Sequence, residues 1–229
     1  MLLIQAIVSD NVVQAKTLIN SSSTLSSQNL SSGATRQRAA DFYLEEIGHY
    51  LVSGDTPLHA AAAGYRLGIA KILVTRGARV EARNRRGAEP LHYAADGGPG
   101  LRNWDPMAQF KMIDFLVRKG ADPNGMNING VTPLHRAVRQ RCAKAVESLL
   151  RNGANVRLKN KNGSTPLHLA VQNTGRGGTG SQESKNQQRE IIKLLLGAGA
   201  DPGDHDGRAK TVRQSTNSEW IISLLSASD

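Results

Sequence analysis

One short string recurs along the chain and restricts what it can fold into. It reads Thr56-Pro57-Leu58-His59, Glu89-Pro90-Leu91-His92, Thr132-Pro133-Leu134-His135 and Thr165-Pro166-Leu167-His168, with the prolines 33, 43 and 33 residues apart. A second string closes each unit: Arg76-Gly77-Ala78, Lys119-Gly120-Ala121, Asn152-Gly153-Ala154 and Ala198-Gly199-Ala200, its glycines 43, 33 and 46 residues apart. The step from each such glycine to the next proline string, taken once more after Gly199, lands on Thr211-Val212, so a fifth unit persists in degenerate form. Asn84, Asn127, Asn160 and Asp206 stand three places before the glycine position that opens units two to five, and in the last unit that glycine has become Ala209. Self-similarity at such a period marks a solenoid.

Each piece has a physical reason. Thr before Pro offers a hydroxyl to orphan N–H groups at a helix start, and Pro at the first helical position gives up a donor that had no partner there. A first helix therefore begins at each Thr-Pro. Gly after an apolar run supplies the left-handed residue that ends a helix, so a second helix stops at Gly77, Gly120, Gly153 and Gly199. Seven, four and three places before these glycines stand Ala70, Leu73, Val74; Ile113, Leu116, Val117; Val146, Leu149, Leu150; and Ile192, Leu195, Leu196. This is one apolar stripe at helical spacing. With aromatics at only 4% of the chain, the core is built from Leu, Ile, Val and Ala in thin layers. A single helix pair cannot bury such a stripe, so stacking on the next unit is required.

The runs Gly130-Val131-Thr132-Pro133-Leu134-His135 and Gly163-Ser164-Thr165-Pro166-Leu167-His168, with the Gly-Ala exits, resemble the ankyrin-repeat family over about residues 54–228. The resemblance implies an all-α solenoid of helix-turn-helix units joined by short hairpin loops. The expected organisation is an N-terminal capping helix pair at 1–20, a polar linker with a short packing helix at 21–53, four full repeats at 54–207, and a degenerate C-terminal capping repeat at 208–229. Residues 21–37 carry seven serines and read as a mobile linker. The apolar residues of 41–51 predict a short helix lying on the first repeat. Insertions near 97–105 and 174–187 fall between the two helices of their units and are expected to project from the same side. Glu89 in place of Thr is expected to weaken its cap.

Little here points to catalysis. His59, His92, His135 and His168 occur one per unit, whereas metal ligands must converge on one ion; in the family the equivalent histidine makes structural hydrogen bonds. The stretch 175–180 satisfies G-x-G-x-x-G, but a helix precedes it where a dinucleotide site needs a strand, which leaves a flexible insertion or an anion site using Arg176. Cys142 is the single cysteine, so neither an intramolecular disulfide nor a cysteine-based zinc cluster is available. Arg139, Arg141 and Lys144 flank it, but no histidine is placed as its base. We expect no catalytic residue, cofactor or metal. The start Met-Leu-Leu-Ile lacks a basic segment and no apolar stretch is long enough to span a bilayer, so the expected setting is cytoplasmic and away from membranes.

The surface is more informative. Formal net charge is +10, which favours acidic partners. In the family, partners contact the hairpin tips and the exposed ends of the first helices. Mapped here, this gives Arg85, Arg86, Arg139, Gln140, Lys161, Asn162, Gln172, Asn173, Arg208 and Lys210 as candidate contacts on a basic concave face. Asp55 is the acidic tip position, and Asp96 and Glu219 are acidic helix ends. Arg83, Arg136, Arg141, Arg157 and Lys159 extend the positive bias. The expected role is a monomeric, non-enzymatic adaptor or inhibitor that captures an acidic protein surface. The alternatives are a solvated basic face that selects nothing and a nucleic-acid binder using the same face, although the scattered aromatics offer no stacking platform.

Overall fold

The computed structural model describes residues 1–22, 24–35, 37–102, 104–174 and 180–226. Eleven helices follow one another in the described residues. Those that begin a unit are α1 (Leu2–Val8), α3 (Pro57–Ala63), α5 (Pro90–Ala94), α7 (Pro133–Arg139) and α9 (Pro166–Ala170); those that end one are α2 (Val12–Ser21), α4 (Leu67–Thr75), α6 (Pro106–Arg118), α8 (Ala143–Arg151) and α10 (Gln182–Gly197). The first set packs as one row and the second as another, and α11 (Glu219–Ser226) closes the stack against α10. Of the three stripe positions in the four units, the first two are fully buried, at Ala70, Leu73, Ile113, Leu116, Val146, Leu149, Ile192 and Leu195, while the third is half-buried at the layer edge, at Val74, Val117, Leu150 and Leu196. Each buried Leu or Ile contributes about 1.5–3 kcal/mol, and only because a neighbouring unit covers it.

The unit boundaries follow the expected chemistry. The N–H of Ala78, Ala121, Ala154 and Ala200 donates to the carbonyls of Leu73, Leu116, Leu149 and Leu195 at 2.9–3.0 Å, closing four identical C-terminal turns through left-handed glycines. At each helix start the backbone N–H before Pro donates to a histidine: Thr56 to His59 Nδ1 at 3.0 Å, Glu89 to His92 at 3.1 Å, Thr132 to His135 at 3.3 Å and Thr165 to His168 at 3.2 Å. The opposite ring nitrogen donates across the unit boundary, to the carbonyls of Ala88, Val131, Ser164 and Lys210 at 3.1, 3.0, 3.0 and 3.4 Å. Each ring is therefore a neutral staple between repeats. Glu89 keeps this geometry too; it is buried, which raises its carboxyl, while Arg83 opposes the shift from 2.9 Å.

The N-terminal segment departs from its expectations. Residues 24–35 form a strap bonded to the first unit rather than a mobile linker. Leu30 N–H donates to Asp55 O, Gly54 N–H to Leu30 O and Ala34 N–H to Leu51 O, at 2.7–2.8 Å, and buried Ser26 donates to Arg76 O at 2.8 Å. The strap thus satisfies the edge of the first hairpin that no preceding hairpin covers. Nor do residues 41–51 make a helix. Short 3₁₀ turns at Ala40–Phe42 and Glu45–Ile47 alternate with an antiparallel hairpin, β1 (Tyr43–Leu44) and β2 (His49–Tyr50), paired Tyr43 with Tyr50 and Leu44 with His49. Gly48 at φ 59° turns the chain there, and the two tyrosine rings stack at 4.8 Å, a cross-strand pair a helix would have separated.

The two inserted units share a device absent from the other two. Gln109 and Gln188 stand eleven places before their closing glycines; Gln109 Nε2 donates to Ala94 O at 3.0 Å and Gln188 Nε2 to Ala170 O at 2.7 Å. They cap first helices of only five residues, against seven in α3 and α7, where the chain instead turns tightly through left-handed Tyr65 and Arg141. Residues 182–187, read as insertion, are the first turns of α10. The other insertion does not simply project: Gly98 packs so closely that a Cβ there would meet Gln140 O at 1.7 Å. In the fifth unit the first helix shrinks to a 3₁₀ turn, Arg213–Ser215, still capped by Thr211 and Gln214 bonding each other's backbone at 3.2 and 3.0 Å.

Two outcomes follow from these staples and turns. Burial lowers His59, His135 and His168 and takes His92 to about 3. The unfolded chain thus binds protons below about 6.5 that the folded chain refuses, so stability is full above that pH and falls as pH drops toward the folded values, by up to about 1.4 kcal/mol per pH unit per buried histidine. Urea unfolding at pH 7, 6 and 5 should show progressive loss; a flat profile would contradict neutral staples. Ala209, at φ 57°, is strained where units one to four have glycine, so Ala209→Gly should raise unfolding free energy by about 0.5–1 kcal/mol in the same assay.

Candidate partner-binding face

Between consecutive units the chain folds into a tight hairpin whose tip is rigid before any side chain is considered. Asn84 Oδ1 accepts from Arg86 and Ala88 N–H, Asn127 Oδ1 from Asn129 and Val131, Asn160 Oδ1 from Asn162 and Ser164, and Asp206 Oδ1 from Arg208 and Lys210, all at 2.8–3.2 Å. The tips are then laced together: Arg85 N–H donates to Ser53 O, Ile128 to Arg86 O, Lys161 to Asn129 O and Gly207 to Asn162 O, at 2.9–3.0 Å. At the first of these tips every backbone N–H from Asn84 to Ala88 has an acceptor within this ladder, so closing the turn does not depend on the charged side chains.

Their charge is more one-sided than the sequence implies. Asp55, counted as the acidic tip, is fully buried: its carboxylate accepts from Val52 N–H at 2.6 Å, Tyr93 Oη at 2.9 Å and Asn84 Nδ2 at 2.8 Å. Arg85 is exposed, yet its guanidinium donates to Ala34 O on the strap. Arg86, Arg139, Lys161, Arg208 and Lys210 are exposed, and among the described residues none forms an ion pair, although Arg208 lies close enough to Asp206 to help hold its carboxyl down. Asn162, Gln172 and Asn173 are exposed beside them, and Gln140 is half-buried.

The flanking basic residues are spoken for. Arg83 pairs with Glu89, Arg157 donates to Gly199 O at 3.2 Å and Lys159 to His205 O at 2.7 Å. Arg141 is buried, donating to the carbonyls of Leu169, Ala170 and Gln172 at the end of α9, and burial lowers it to about 10. Arg136 holds the Asp96 carboxylate, which also receives His49 Nε2 at 3.2 Å. Burial alone would raise the Asp96 carboxyl; Arg136 and His49 outweigh it and hold it well below the usual range.

The arrangement also leaves a hollow. A cavity of about 440 Å³ opens between tip residues Arg86 and Asn129, helix-end residues Arg139 and Gln140, and a wall made by Tyr50 and Leu101. Nothing in the repeat pattern places Tyr50 or Leu101 here, since one comes from the β1–β2 hairpin and the other from the first insertion. Cys142 is buried at the cap of α8, accepting Ala145 N–H at 3.4 Å, and burial pushes its thiol up to about 11, so Arg139, Arg141 and Lys144 do not activate it. Residues 175–179, most of the glycine-rich motif with Arg176, lie outside the described residues. Among the described residues no cluster of His, Cys, Asp and Glu could hold a metal, and no helix is long and apolar enough to cross a membrane.

The family model for ankyrin repeats, three copies in tandem, matches residues 3–102 and 107–206. It reaches further toward the N-terminus than the motif strings do, taking in α1 and α2, whose junction passes through left-handed Asp10 just as later junctions pass through Tyr65 and Arg141. No curated protein matches the chain.

The Asp96 cluster gives a direct check. Asp96→Ala leaves Arg136, only 15% exposed, without its counter-charge, and should cost about 3 kcal/mol in urea unfolding. A loss below about 1 kcal/mol would mean that solvent, not Asp96, compensates Arg136.

Proposed function

The chain belongs to the ankyrin-repeat family, whose members generally act as protein–protein interaction modules and are typically non-enzymatic; from that premise we propose that it is a monomeric cytoplasmic adaptor or inhibitor that captures an acidic segment of another protein. The observation that carries this reading is the row of exposed Arg86, Arg139, Lys161, Arg208 and Lys210, held on rigid tips and helix ends with no ion pair among the described residues. A cation already paired within the chain has little to offer a partner, whereas an unpaired one steers and orients an opposite charge. Asn162, Gln140, Gln172 and Asn173 add neutral hydrogen-bonding capacity between these charges.

Arg86→Glu, Arg139→Glu and Lys161→Glu combined tests the proposal; Arg85 is left intact because it ties down the strap. In affinity capture from the native host at low and at moderate salt, the triple variant should lose the captured proteins by about tenfold or more, and the wild-type chain should hold fewer as salt rises. Circular dichroism and Tm should stay unchanged. Full capture by the variant would refute the acidic-segment reading. Retention of nucleic acid in place of protein, with a steep salt slope, would favour the nucleic-acid alternative.

A further inference from the structure

We infer that the cavity bounded by Arg86, Arg139, Tyr50 and Leu101 is the specificity pocket of this face, and that it takes a short acidic peptide segment in which a carboxylate side chain stands next to an apolar one. The inference rests on the acidic-segment reading above and narrows it to one place and one sequence pattern.

Three features lead to it. At about 440 Å³ the space matches a binding pocket for a few side chains, roughly 300–1,000 Å³, and not a seat for a folded surface. Its charge is positive: Arg86 and Arg139 line it without acidic partners among the described residues, while its own carboxylate, Asp96, is engaged by Arg136 and His49 and is 13% exposed. Its wall is apolar and unsatisfied, with Tyr50 at 45% and Leu101 at 42% exposure facing the same hollow as the two guanidiniums.

The wall is also fixed in advance. His49 stacks on Tyr93 at 4.4 Å and reaches Asp96, Ile47 packs under the end of α3 so closely that a Cβ on Gly64 would meet it at 2.5 Å, and Leu101 lies against Gly48. A segment entering the pocket meets surfaces that do not have to be ordered first, which favours affinity. Lys161 and Arg208 continue the positive row, but neither borders this wall. Charge can thus be met anywhere along the face, whereas an apolar neighbour is rewarded only here.

Fluorescence anisotropy with labelled synthetic peptides tests this. Three probes suffice: a Gly-Glu repeat with a central Leu-Glu, the same peptide with Ser for Leu, and the same peptide with Lys for every Glu. The Leu probe should bind about fivefold or more tighter than the Ser probe, and the Lys probe should not bind. Leu101→Ser, at an exposed position, should reduce the Leu probe to the level of the Ser probe and leave the Ser probe unchanged; Tyr50→Ser should do the same. Arg86→Glu with Arg139→Glu should weaken the Leu probe about tenfold, and Lys161→Glu with Arg208→Glu much less. Equal binding of Leu and Ser probes, or a loss that tracks Lys161 and Arg208 instead, would overturn the pocket while leaving the basic-face reading in place. Failure of both acidic probes to exceed the Lys probe would remove both.

Discussion

The hydrogen bond from each motif histidine to a carbonyl of the following unit is the interaction on which the rest depends. One ring nitrogen accepts the N–H at the start of its own helix and the other donates to the next hairpin, so helix initiation and inter-repeat docking share a side chain. This works only for a neutral ring, which burial enforces. It also explains why a unit this small persists: its apolar stripe is buried by a neighbour that its own histidine holds in place. Stability is then a sum of unit and interface contributions along the stack.

That scheme leaves the junction between the two helices of a unit free to vary, and the chain uses the freedom. Where the junction is tight, a non-glycine residue accepts left-handed strain at Tyr65 or Arg141, and Arg141 recovers some of the cost by donating to carbonyls at the end of α9. Where the junction is long, the first helix is cut short and a glutamine amide from the second helix takes over its exposed carbonyls. Both solutions obey the same requirement, that buried carbonyls find donors. Neither disturbs the histidine staple, which lies at the other end of the first helix.

Legibility of the sequence tracks how local each cause is. Helix starts at Thr-Pro, exits at Gly-Ala and the buried stripe could be read because each depends on residues a few places apart. The hairpin at Tyr43–Tyr50 is hidden because its apolar spacing suits a helix; Gly48 is the one local signal against that, and docking of Ile47 and His49 on distant elements fixes the outcome. The serine-rich strap carries no periodicity, and its partners lie far along the chain, Asp55 for Leu30 and Leu51 for Ala34, so only the fold shows that these residues bond to the first hairpin. At the candidate face, position in the repeat identified which residues reach the surface, but not which are already engaged. Asp55 and Arg85 occupy tip positions, yet one is buried in a polar network and the other ties down the strap.

The division between engaged and unengaged charge is what gives the face its meaning. Arg136 and Arg139 lie on the same short helix, but Arg136 turns toward Asp96 and Tyr93 while Arg139, at the helix end, is exposed and forms no ion pair among the described residues. The fold neutralises the first because it is buried; it has no need to neutralise the second. Likewise the tip arginines and lysines sit on backbone already saturated by the Asn and Asp side chains, so their charges contribute nothing to closing the hairpins. Cations in a row at positions without structural duties stay well hydrated but repel one another slightly. An acidic partner reverses that balance, and the ladder beneath holds the row at fixed spacing for it.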